Sequence, residues 1–286
     1  MDYTVTPLTP HETGAEIRGL DLSQPLEPGL RQELNRAFAR YHVLVIRDQK
    51  LSAREFAGAA ETFGEIMPQA IKGHGTQEHP DVFELRPAAV APGEYRAPGG
   101  DGFHTDHSFD PCPPKATALF PVLLPSQGGD TQFCNVHRAY DDLPDATRQR
   151  VERLQAVHAY YSRNAAYKVR KLDAESLAAL PSPAVHPLVA IHPENSKRYL
   201  YVNQSRIESI VGMDDADAVD LIRQLLAHAT QTKYEYRHVW REGDMVIWDN
   251  RSVLHKANGD YDMRQGQGRL MYRIMLKGVA PVAYRM

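Results

Sequence analysis

The chain has 286 residues, 42% of them hydrophobic and 24% charged, an ordinary composition for a globular protein with a substantial core. A formal net charge of −3 gives no electrostatic basis for binding nucleic acid or an anionic membrane surface. Two cysteines exclude a disulfide scaffold and do not suggest a zinc motif, and we expect one domain over residues 1–286.

The N-terminal part of the sequence predicts two helices and a strand. Apolar residues at helical spacing predict a helix over 28–41, whose proline is tolerated in the first turn. A short apolar strand follows over 42–47. Ser52 and Glu55, three residues apart, form the capping-box pattern, which predicts a second helix from this point to about Phe63.

The rest of the chain is predicted to be rich in short strands. Closely spaced prolines and glycines predict a loop or lid over 87–102, and a second lid is predicted over 160–184. The other predicted elements are strands over 116–120 and 131–133, a helix over 143–154 after Asp142 as cap, a strand over 198–203, a helix over 214–230, and strands over 234–240, 244–248 and 269–277. This pattern predicts a mainly β protein with flanking helices, either a barrel or a double-sheet jelly roll.

Histidine and carboxylate side chains in two parts of the chain suit one metal ion. His104 and Asp106 lie two residues apart in a segment that we predict as a strand, so both point to the same face. His255 ends the strand-like run 248–255 and offers a third ligand. Two histidines and one carboxylate, with the other metal positions open, form the facial triad of non-haem Fe(II) oxygenases.

Four segments occur together and in order. They are Phe103-His104-Thr105-Asp106, Gly128-Gly129-Asp130-Thr131, Trp248-Asp249-Asn250-Arg251 followed by His255, and Arg269 followed by Arg273. Over nearly the whole chain this pattern resembles the taurine dioxygenase/2,4-dichlorophenoxyacetate dioxygenase family of Fe(II)/2-oxoglutarate-dependent enzymes. The resemblance implies a single dioxygenase domain with a double-stranded β-helix (jelly-roll) core.

By this resemblance His104, Asp106 and His255 bind Fe(II), and 2-oxoglutarate and O2 are the co-substrates. Related halogenating enzymes carry a small residue in place of this carboxylate, so Asp106 indicates hydroxylation instead. The implied reaction hydroxylates a substrate C–H bond and releases succinate and CO2. Where that carbon carries an ether oxygen or a sulfonate, the product would collapse to a phenol or sulfite and a carbonyl compound.

The distal carboxylate of 2-oxoglutarate calls for arginine, whose planar guanidinium binds a carboxylate through two hydrogen bonds. The resemblance assigns Arg269 and the Thr131 hydroxyl to 2-oxoglutarate, and Arg273 to the primary substrate. Arg269 and Arg273 are four residues apart on a predicted strand and share a face, so spacing alone allows their roles to be exchanged.

The primary substrate is expected to be a small organic anion. Ile71-Lys72 resembles the phenoxyacetate dioxygenases, where a lysine at this place is implicated with the substrate carboxylate, so Lys72 and Arg273 are assigned to that carboxylate. Arg206 falls where taurine dioxygenase has an aromatic pocket residue, which makes this pocket more cationic. We therefore expect an aryloxyalkanoate-like or other carboxylate, with an alkylsulfonate or a sulfate ester as the alternative.

Two other classes of protein share parts of the pattern. A non-catalytic metal-binding jelly roll that senses a small anion would not need Arg269, Arg273 and Thr131, and a zinc hydrolase would need a general base that no motif supplies. The N-terminus lacks a basic segment followed by an apolar one, and no apolar run is long enough to span a membrane, so we expect a cytoplasmic enzyme. No nucleic-acid or membrane partner is expected, and a homo-oligomer is possible.

Overall fold

The computed structural model describes residues 3–68, 75–86, 102–162, 164, 174–178, 180–261 and 268–284. Its helices are α1 (Pro28–Tyr41), α2 (Ala53–Glu61), α3 (Val136–Asp141), α4 (Asp145–Val151), α5 (Ala174–Ala178) and α6 (Asp215–Ala229). Its strands are β1 (Thr4–Pro7), β2 (Ala15–Arg18), β3 (Val43–Ile46), β4 (Phe83–Leu85), β5 (Ala116–Leu123), β6 (Thr131–Asn135), β7 (Gln155–His158), β8 (Ala184–Pro187), β9 (Val189–Ile191), β10 (Arg198–Leu200), β11 (Ile207–Ile210), β12 (Glu235–His238), β13 (Met245–Asp249), β14 (Val253–Ala257), β15 (Leu270–Leu276) and β16 (Val282–Ala283). The predicted lid over 87–102 lies almost wholly outside the described residues, as does much of 160–184.

The strands form one large sheet and three small ones. The large sheet has seven strands in the order β1-β2-β3-β13-β5-β15-β4, and only the β2–β3 pair is parallel. The three-stranded sheets have the orders β12-β6-β14, β11-β7-β8 and β10-β9-β16. The protein is therefore mainly β with flanking helices, as the sequence predicts.

The large sheet is buried on both faces. In β3, Leu44 and Ile46 pack in a cluster with the apolar residues of α1 and α2. Val43 and Val45, which alternate with them, pack instead in a cluster with Phe133 of β6. Because successive side chains of a strand point to opposite faces, helices cover one face of this sheet and the β12-β6-β14 sheet covers the other.

The first two helices are where local sequence signals predict them. Helix α1 spans Pro28–Tyr41, and α2 begins after Ser52. The predicted capping box is formed, because the Glu55 N–H donates to the Ser52 hydroxyl at 3.3 Å and the Ser52 N–H donates to the Glu55 carboxylate at 2.8 Å. None of the described helices combines the length and the apolar character needed to cross a membrane.

The predicted helix over 143–154 and the cap assigned to Asp142 are wrong in detail. Asp142 instead follows the end of α3, and its carboxylate accepts hydrogen bonds from Lys233 at 2.7 Å and Tyr234 at 2.8 Å. Helix α4 is shorter, Asp145–Val151, and begins after Pro144. Asp142 has the side chain of a typical helix cap, but its carboxylate binds residues that are distant in the sequence instead of the helix that follows it.

Several histidines are buried in the interior, which makes the fold sensitive to acid. Burial lowers the pKa of His137 to about 4 and that of His42 well below its ordinary value, and their rings lie 4.8 Å apart. The unfolded chain binds protons at these sites below a pH of about 6.5, whereas the folded protein does not until lower pH. Folding stability is therefore lost as the pH falls from about 6.5 toward 4.

We expect the free energy of unfolding to fall by on the order of 1 kcal/mol for His137 alone between pH 7 and pH 5. The measurement is urea denaturation at a series of pH values. His42→Phe keeps a ring against His137 and removes one titrating group, so its stability should fall less steeply over the same range. Equal slopes for the two proteins would show that His42 does not contribute.

Candidate metal centre

One antiparallel backbone bridge places two histidines side by side. The N–H of His104 donates to the carbonyl of His255 at 3.0 Å, and the N–H of His255 donates to the carbonyl of His104 at 2.8 Å. Residues that exchange both hydrogen bonds lie directly opposite each other, with their side chains on the same face. The two imidazole rings accordingly have centroids 4.2 Å apart.

Asp106 completes a three-residue cluster with these histidines. The His104 Nε2 lies 3.9 Å from its Oδ1, and the His255 Nε2 lies 3.8 Å from its Oδ2. The three donor atoms lie within 4.8 Å of one another, and this is the one group with metal-ligand geometry among the described residues. The structure thus brings together all three residues that the sequence predicts as metal ligands.

The local structure around these ligands differs from the prediction. His104 forms only an isolated bridge, and Asp106 begins a turn, so the segment is not a strand. His255 does not end a continuous strand either, because a turn over 250–252 separates β13 from β14 and His255 lies in the middle of β14. The hydroxyl of Thr105 donates to the carbonyl of Asn250 at 2.6 Å and holds the two segments together.

The protonation states of the three residues suit a divalent metal. Burial lowers the pKa of His104, and burial together with the neighbouring His104 lowers the pKa of His255 to about 3, so both rings are neutral. Burial alone would raise the pKa of Asp106, but the charge of Arg273 and the neighbouring histidines together outweigh it and keep the carboxylate ionised. Neutral imidazole and ionised carboxylate are the forms that bind metal.

His104 also presents the correct nitrogen to a metal. Its Nδ1 lies 2.8 Å from the carbonyl of Gly102, which requires the N–H at that position and leaves the Nε2 lone pair facing Asp106 and His255. Two imidazoles and one carboxylate are a donor set that fits Fe(II).

A second polar group lies at Arg269 and Thr131. The Nε and one terminal nitrogen of Arg269 are buried and have no hydrogen-bond partner among the described residues. The indole N–H of Trp240 donates to the Thr131 hydroxyl at 3.0 Å, and the Arg269 guanidinium carbon lies 5.9 Å from the centre of the Trp240 ring. A buried, unpaired guanidinium is costly, so this site fits a bound carboxylate.

The glycines before Thr131 allow a neighbouring loop to pack closely. Gly128 has a φ of +74°, and a Cβ on it would lie 2.5 Å from the carbonyl oxygen of Asp260. The N–H of Gly129 donates to the Asp260 carboxylate at 2.8 Å. This contact holds Asp260, which follows β14, against the residues just before β6, and only a glycine fits at position 128.

Arg273 lies at the metal cluster and not beside Arg269. One terminal nitrogen of its guanidinium forms an ion pair with Asp106 Oδ1 at 2.8 Å. The two arginines therefore have different surroundings, although they are four residues apart. Arg269 comes just before β15, and the pairing of β15 with β5 shifts register between Leu270 and Met271. That irregularity breaks the simple alternation on which the prediction of a shared face depends.

Arg206 lies against two aromatic rings near the cluster. Its guanidinium carbon is 4.5 Å from the centre of the Tyr160 ring and 5.2 Å from that of Phe109. The charges of Arg206 and Arg273 both act to lower the pKa of His104, so two positive charges lie near this metal ligand. Lys72 lies outside the described residues.

Sequence analysis missed several residues that contact the predicted ones. Thr117 donates to Asp106 Oδ2 at 2.6 Å, and Asn250 donates to the Thr117 hydroxyl at 3.0 Å. Asn250 is in a segment that resembles the family, but no role followed from the motif. Thr117 and Trp240 carry no local signal, because a buried threonine in a strand and a tryptophan after one are ordinary core residues.

Comparisons with known proteins agree with this geometry. A model of the taurine catabolism dioxygenase TauD, TfdA family matches residues 4–275. An alkylsulfatase of Acinetobacter baylyi is 33% identical over 275 residues, covering 93% of this chain and 82% of that protein. An alpha-ketoglutarate-dependent 2,4-dichlorophenoxyacetate dioxygenase of Cupriavidus pinatubonensis is 31% identical over 272 residues, covering 90% and 92%. A solved structure of AAD-2 with Mn(II) and N-oxalylglycine superposes with a TM-score of 0.82 at 30% identity, covering 99% of this chain and 100% of that one.

Proposed function

Because the chain belongs to the taurine catabolism dioxygenase TauD, TfdA family and is a 2-oxoglutarate-dependent non-haem iron dioxygenase, we propose that it hydroxylates a small organic anion held beside the metal by Arg273 and Arg206. The observation that carries this proposal is the ion pair of Arg273 with Asp106 at 2.8 Å, together with a second guanidinium, that of Arg206, close enough to act on the pKa of His104. The positive electrostatic potential of these guanidinium groups attracts and orients an anionic substrate.

His104, Asp106 and His255 would hold the ferrous ion. When bound, iron supplies the activation of O2, coupled to the loss of CO2 from 2-oxoglutarate, so that substrate, O2 and 2-oxoglutarate become hydroxylated substrate, succinate and CO2. The chain supplies the neutral imidazoles, the ionised carboxylate and a largely buried site, since Asp106 and His255 are each 6% exposed.

We assign the distal carboxylate of 2-oxoglutarate to Arg269 and Thr131. The two buried Arg269 nitrogens that have no hydrogen-bond partner among the described residues support Arg269 over Arg273, whose guanidinium is already paired with Asp106. The hydroxyl of Thr131 accepts from Trp240, so its own proton remains available for a carboxylate oxygen. Trp240 contacts both residues and holds the hydroxyl in place beside the guanidinium.

We propose an aryloxyalkanoate or a related carboxylate as the substrate. The rings of Phe109 and Tyr160, 5.2 Å apart and nearly perpendicular, offer apolar surface next to the Arg206 charge. This combination suits a substrate with an aromatic part and an anionic part. Hydroxylation beside the ether oxygen would release a phenol. Lys72 remains a predicted contact for the substrate carboxylate.

A sulfate ester or an alkylsulfonate is the second candidate. The alkylsulfatase of Acinetobacter baylyi is as similar to this chain as the 2,4-dichlorophenoxyacetate dioxygenase of Cupriavidus pinatubonensis, and sulfate and carboxylate present comparable acceptor oxygens to arginine. The arginines alone favour an anion without separating the two classes, whereas the aromatic rings favour the aryloxy compound.

We further propose that the chain is one domain with a double-stranded β-helix core. Packing of the large sheet against the β12-β6-β14 sheet around a shared apolar cluster supports this arrangement. The match of the family model from residue 4 to residue 275 supports the single domain.

Succinate formation by anaerobically Fe(II)-loaded protein, given 2-oxoglutarate and O2, tests the substrate. The panel is phenoxyacetate, phenoxypropionate, taurine, alkyl sulfates and aliphatic acids. We expect an aryloxyalkanoate to raise the rate at least about tenfold over 2-oxoglutarate alone, an effect of about 1.4 kcal/mol. Phenoxyacetamide, which has the same shape without the charge, is the matched control and should not stimulate. Stimulation by alkyl sulfates alone would select the second candidate, and equal stimulation by the amide would contradict an anion site.

A further inference from the structure

Three buried side chains form a hydrogen-bonded series that ends on the metal-binding carboxylate. The indole N–H of Trp248 donates to Asn250 Oδ1 at 3.0 Å, and Asn250 Nδ2 donates to the Thr117 hydroxyl at 3.0 Å. The Thr117 hydroxyl donates to Asp106 Oδ2 at 2.6 Å. All four side chains are at most 6% exposed.

The direction of this series is fixed by the chemistry of its first member. An indole N–H only donates, so the Asn250 atom that faces Trp248 must be the amide oxygen. The amide NH2 therefore faces Thr117 and occupies an acceptor site of its hydroxyl. The hydroxyl proton is then directed to Asp106, which as an ionised carboxylate only accepts. No member can reverse without leaving a buried polar atom unpaired.

The strand register explains how these residues meet. Trp248 of β13 lies directly opposite Thr117 of β5, and Asn250 follows β13 in the turn before β14. Asn250 also accepts at its backbone carbonyl from the Thr105 hydroxyl at 2.6 Å. Asn250 thus acts on the segment that carries Asp106 at two points: its backbone carbonyl binds Thr105 directly, and its side chain reaches Asp106 through Thr117.

We propose that Trp248, Asn250 and Thr117 are positioning residues that fix the rotation of the Asp106 carboxylate and so set the affinity of the triad for a divalent metal. With Thr117 on Oδ2 and Arg273 on Oδ1, both carboxylate oxygens are held before a metal is added. A ligand that is already oriented loses less conformational entropy when it binds the ion. This role concerns the metal site and does not depend on which anion is the substrate.

Thr117→Val tests this hydrogen-bonded series, which we call the relay, because the substitution removes the Thr117 hydroxyl and keeps the shape of the side chain. We expect calorimetry with Mn(II) to show binding that is about 10-fold to 100-fold weaker. With Co(II) as the probe, the visible absorption should change, since it reports how the ion is coordinated. Thr117→Ser restores the hydroxyl and should bind Mn(II) within about threefold of the wild type. This difference is smaller than the weakening of about 10-fold or more that we expect when the hydroxyl is lost.

Thr13→Val is the matched control for loss of a buried hydroxyl. Thr13 is also fully buried and accepts from an asparagine amide, that of Asn135 at 2.9 Å, but it contacts none of the three metal ligands in the described structure. Its variant should lose stability while binding Mn(II) like the wild type. Wild-type Mn(II) affinity in folded Thr117→Val, or equal weakening in Thr13→Val, would overturn the proposal.

Trp248→Phe tests the far end of the series, and it replaces Thr117→Val as the test if that variant does not fold. Without the indole N–H the Asn250 amide is free to turn, so Mn(II) binding should weaken severalfold, and wild-type affinity would overturn the proposal. In the double variant the two losses should not add fully, because the indole N–H acts on Asp106 through Asn250 and Thr117, although the Trp248 ring also lies 4.7 Å from the ring of His255. Additive losses would show that the two residues act separately and would likewise overturn the relay.

Discussion

Replacing Asp106 with asparagine is expected to weaken Mn(II) binding by about 100-fold or more and to abolish succinate formation. Asparagine keeps the shape of the side chain, and its amide oxygen still accepts from Thr117, but the negative charge that the metal requires is lost. His104 and His255 remain as neutral ligands in the same places. Calorimetry with Mn(II) and succinate assays after Fe(II) loading measure the two effects.

Asp110→Asn is the matched control for this substitution. Asp110 lies four residues further along the same segment, and its carboxylate accepts from the N–H of Cys112 at 2.8 Å without contacting the triad. Its variant should bind Mn(II) and form succinate like the wild type. Asp106→Ala, which removes the side chain altogether, should be as inactive as Asp106→Asn. Turnover at the wild-type rate by Asp106→Ala would contradict the triad.

Replacing Arg269 with methionine is expected to raise the Kd for 2-oxoglutarate by about 30-fold to 5,000-fold while leaving Mn(II) affinity nearly unchanged. Truncating one partner of a buried, hydrogen-bonded charge pair costs about 2–5 kcal/mol. Methionine fills a similar volume, and the Arg269 Nε and one terminal nitrogen that it removes have no hydrogen-bond partner among the described residues. Calorimetric titration of Mn(II)-loaded protein with 2-oxoglutarate measures the effect.

Two further arginine variants make this result specific. Arg237→Met removes a guanidinium that is paired with Asp130, the neighbour of Thr131, but whose side chain is 46% exposed. Because a surface ion pair contributes little, this variant should leave the 2-oxoglutarate Kd within about twofold of the wild-type value. Arg273→Met should chiefly affect the response to the substrate anion. If Arg273→Met weakens 2-oxoglutarate binding and Arg269→Met does not, the two roles are exchanged.

The metal ligands were predictable from the sequence, but their local geometry was not. His104, Asp106 and His255 are recognisable because few residue types bind iron and the motifs occur in order. The predicted strand is wrong, because residues i and i+2 can also converge when the first forms a bridge and the second begins a turn. The residue types of the ligands follow from the chemistry of the metal, whereas their positions follow from the pairing of two segments that are distant in the sequence.

Local signals predicted the early helices well and the later ones less well. The capping box at Ser52 and the bounds of α1 depend on neighbouring residues only, and both are confirmed. In α6, the apolar Val219 is 40% exposed, while the buried side of the helix runs through Leu221 and Leu225. Helical spacing defines several overlapping faces, and packing against the rest of the protein decides among them.

The contacts that complete the site depend on long-range packing. Trp240 reaches Thr131 across the paired strands β12 and β6, and Thr117 reaches Asp106 from β5. No spacing in the sequence signals such contacts, because each residue is also an ordinary core residue. The placement of Arg273 on Asp106, away from Arg269, likewise depends on an irregular strand pairing that periodicity does not reveal.

The bridge between His104 and His255 has a consequence for when iron can be acquired during biosynthesis. A ribosome delivers the first histidine and the aspartate long before the last ligand, and β14, which carries that ligand, pairs with β6 from the middle of the chain. Contacts between distant segments form late, because the intervening chain must first be ordered. Until β14 has been made and paired, a nascent chain offers an ion only two of its three ligands. Metallation therefore follows translation, and the order of synthesis sets the earliest moment at which the enzyme can become active.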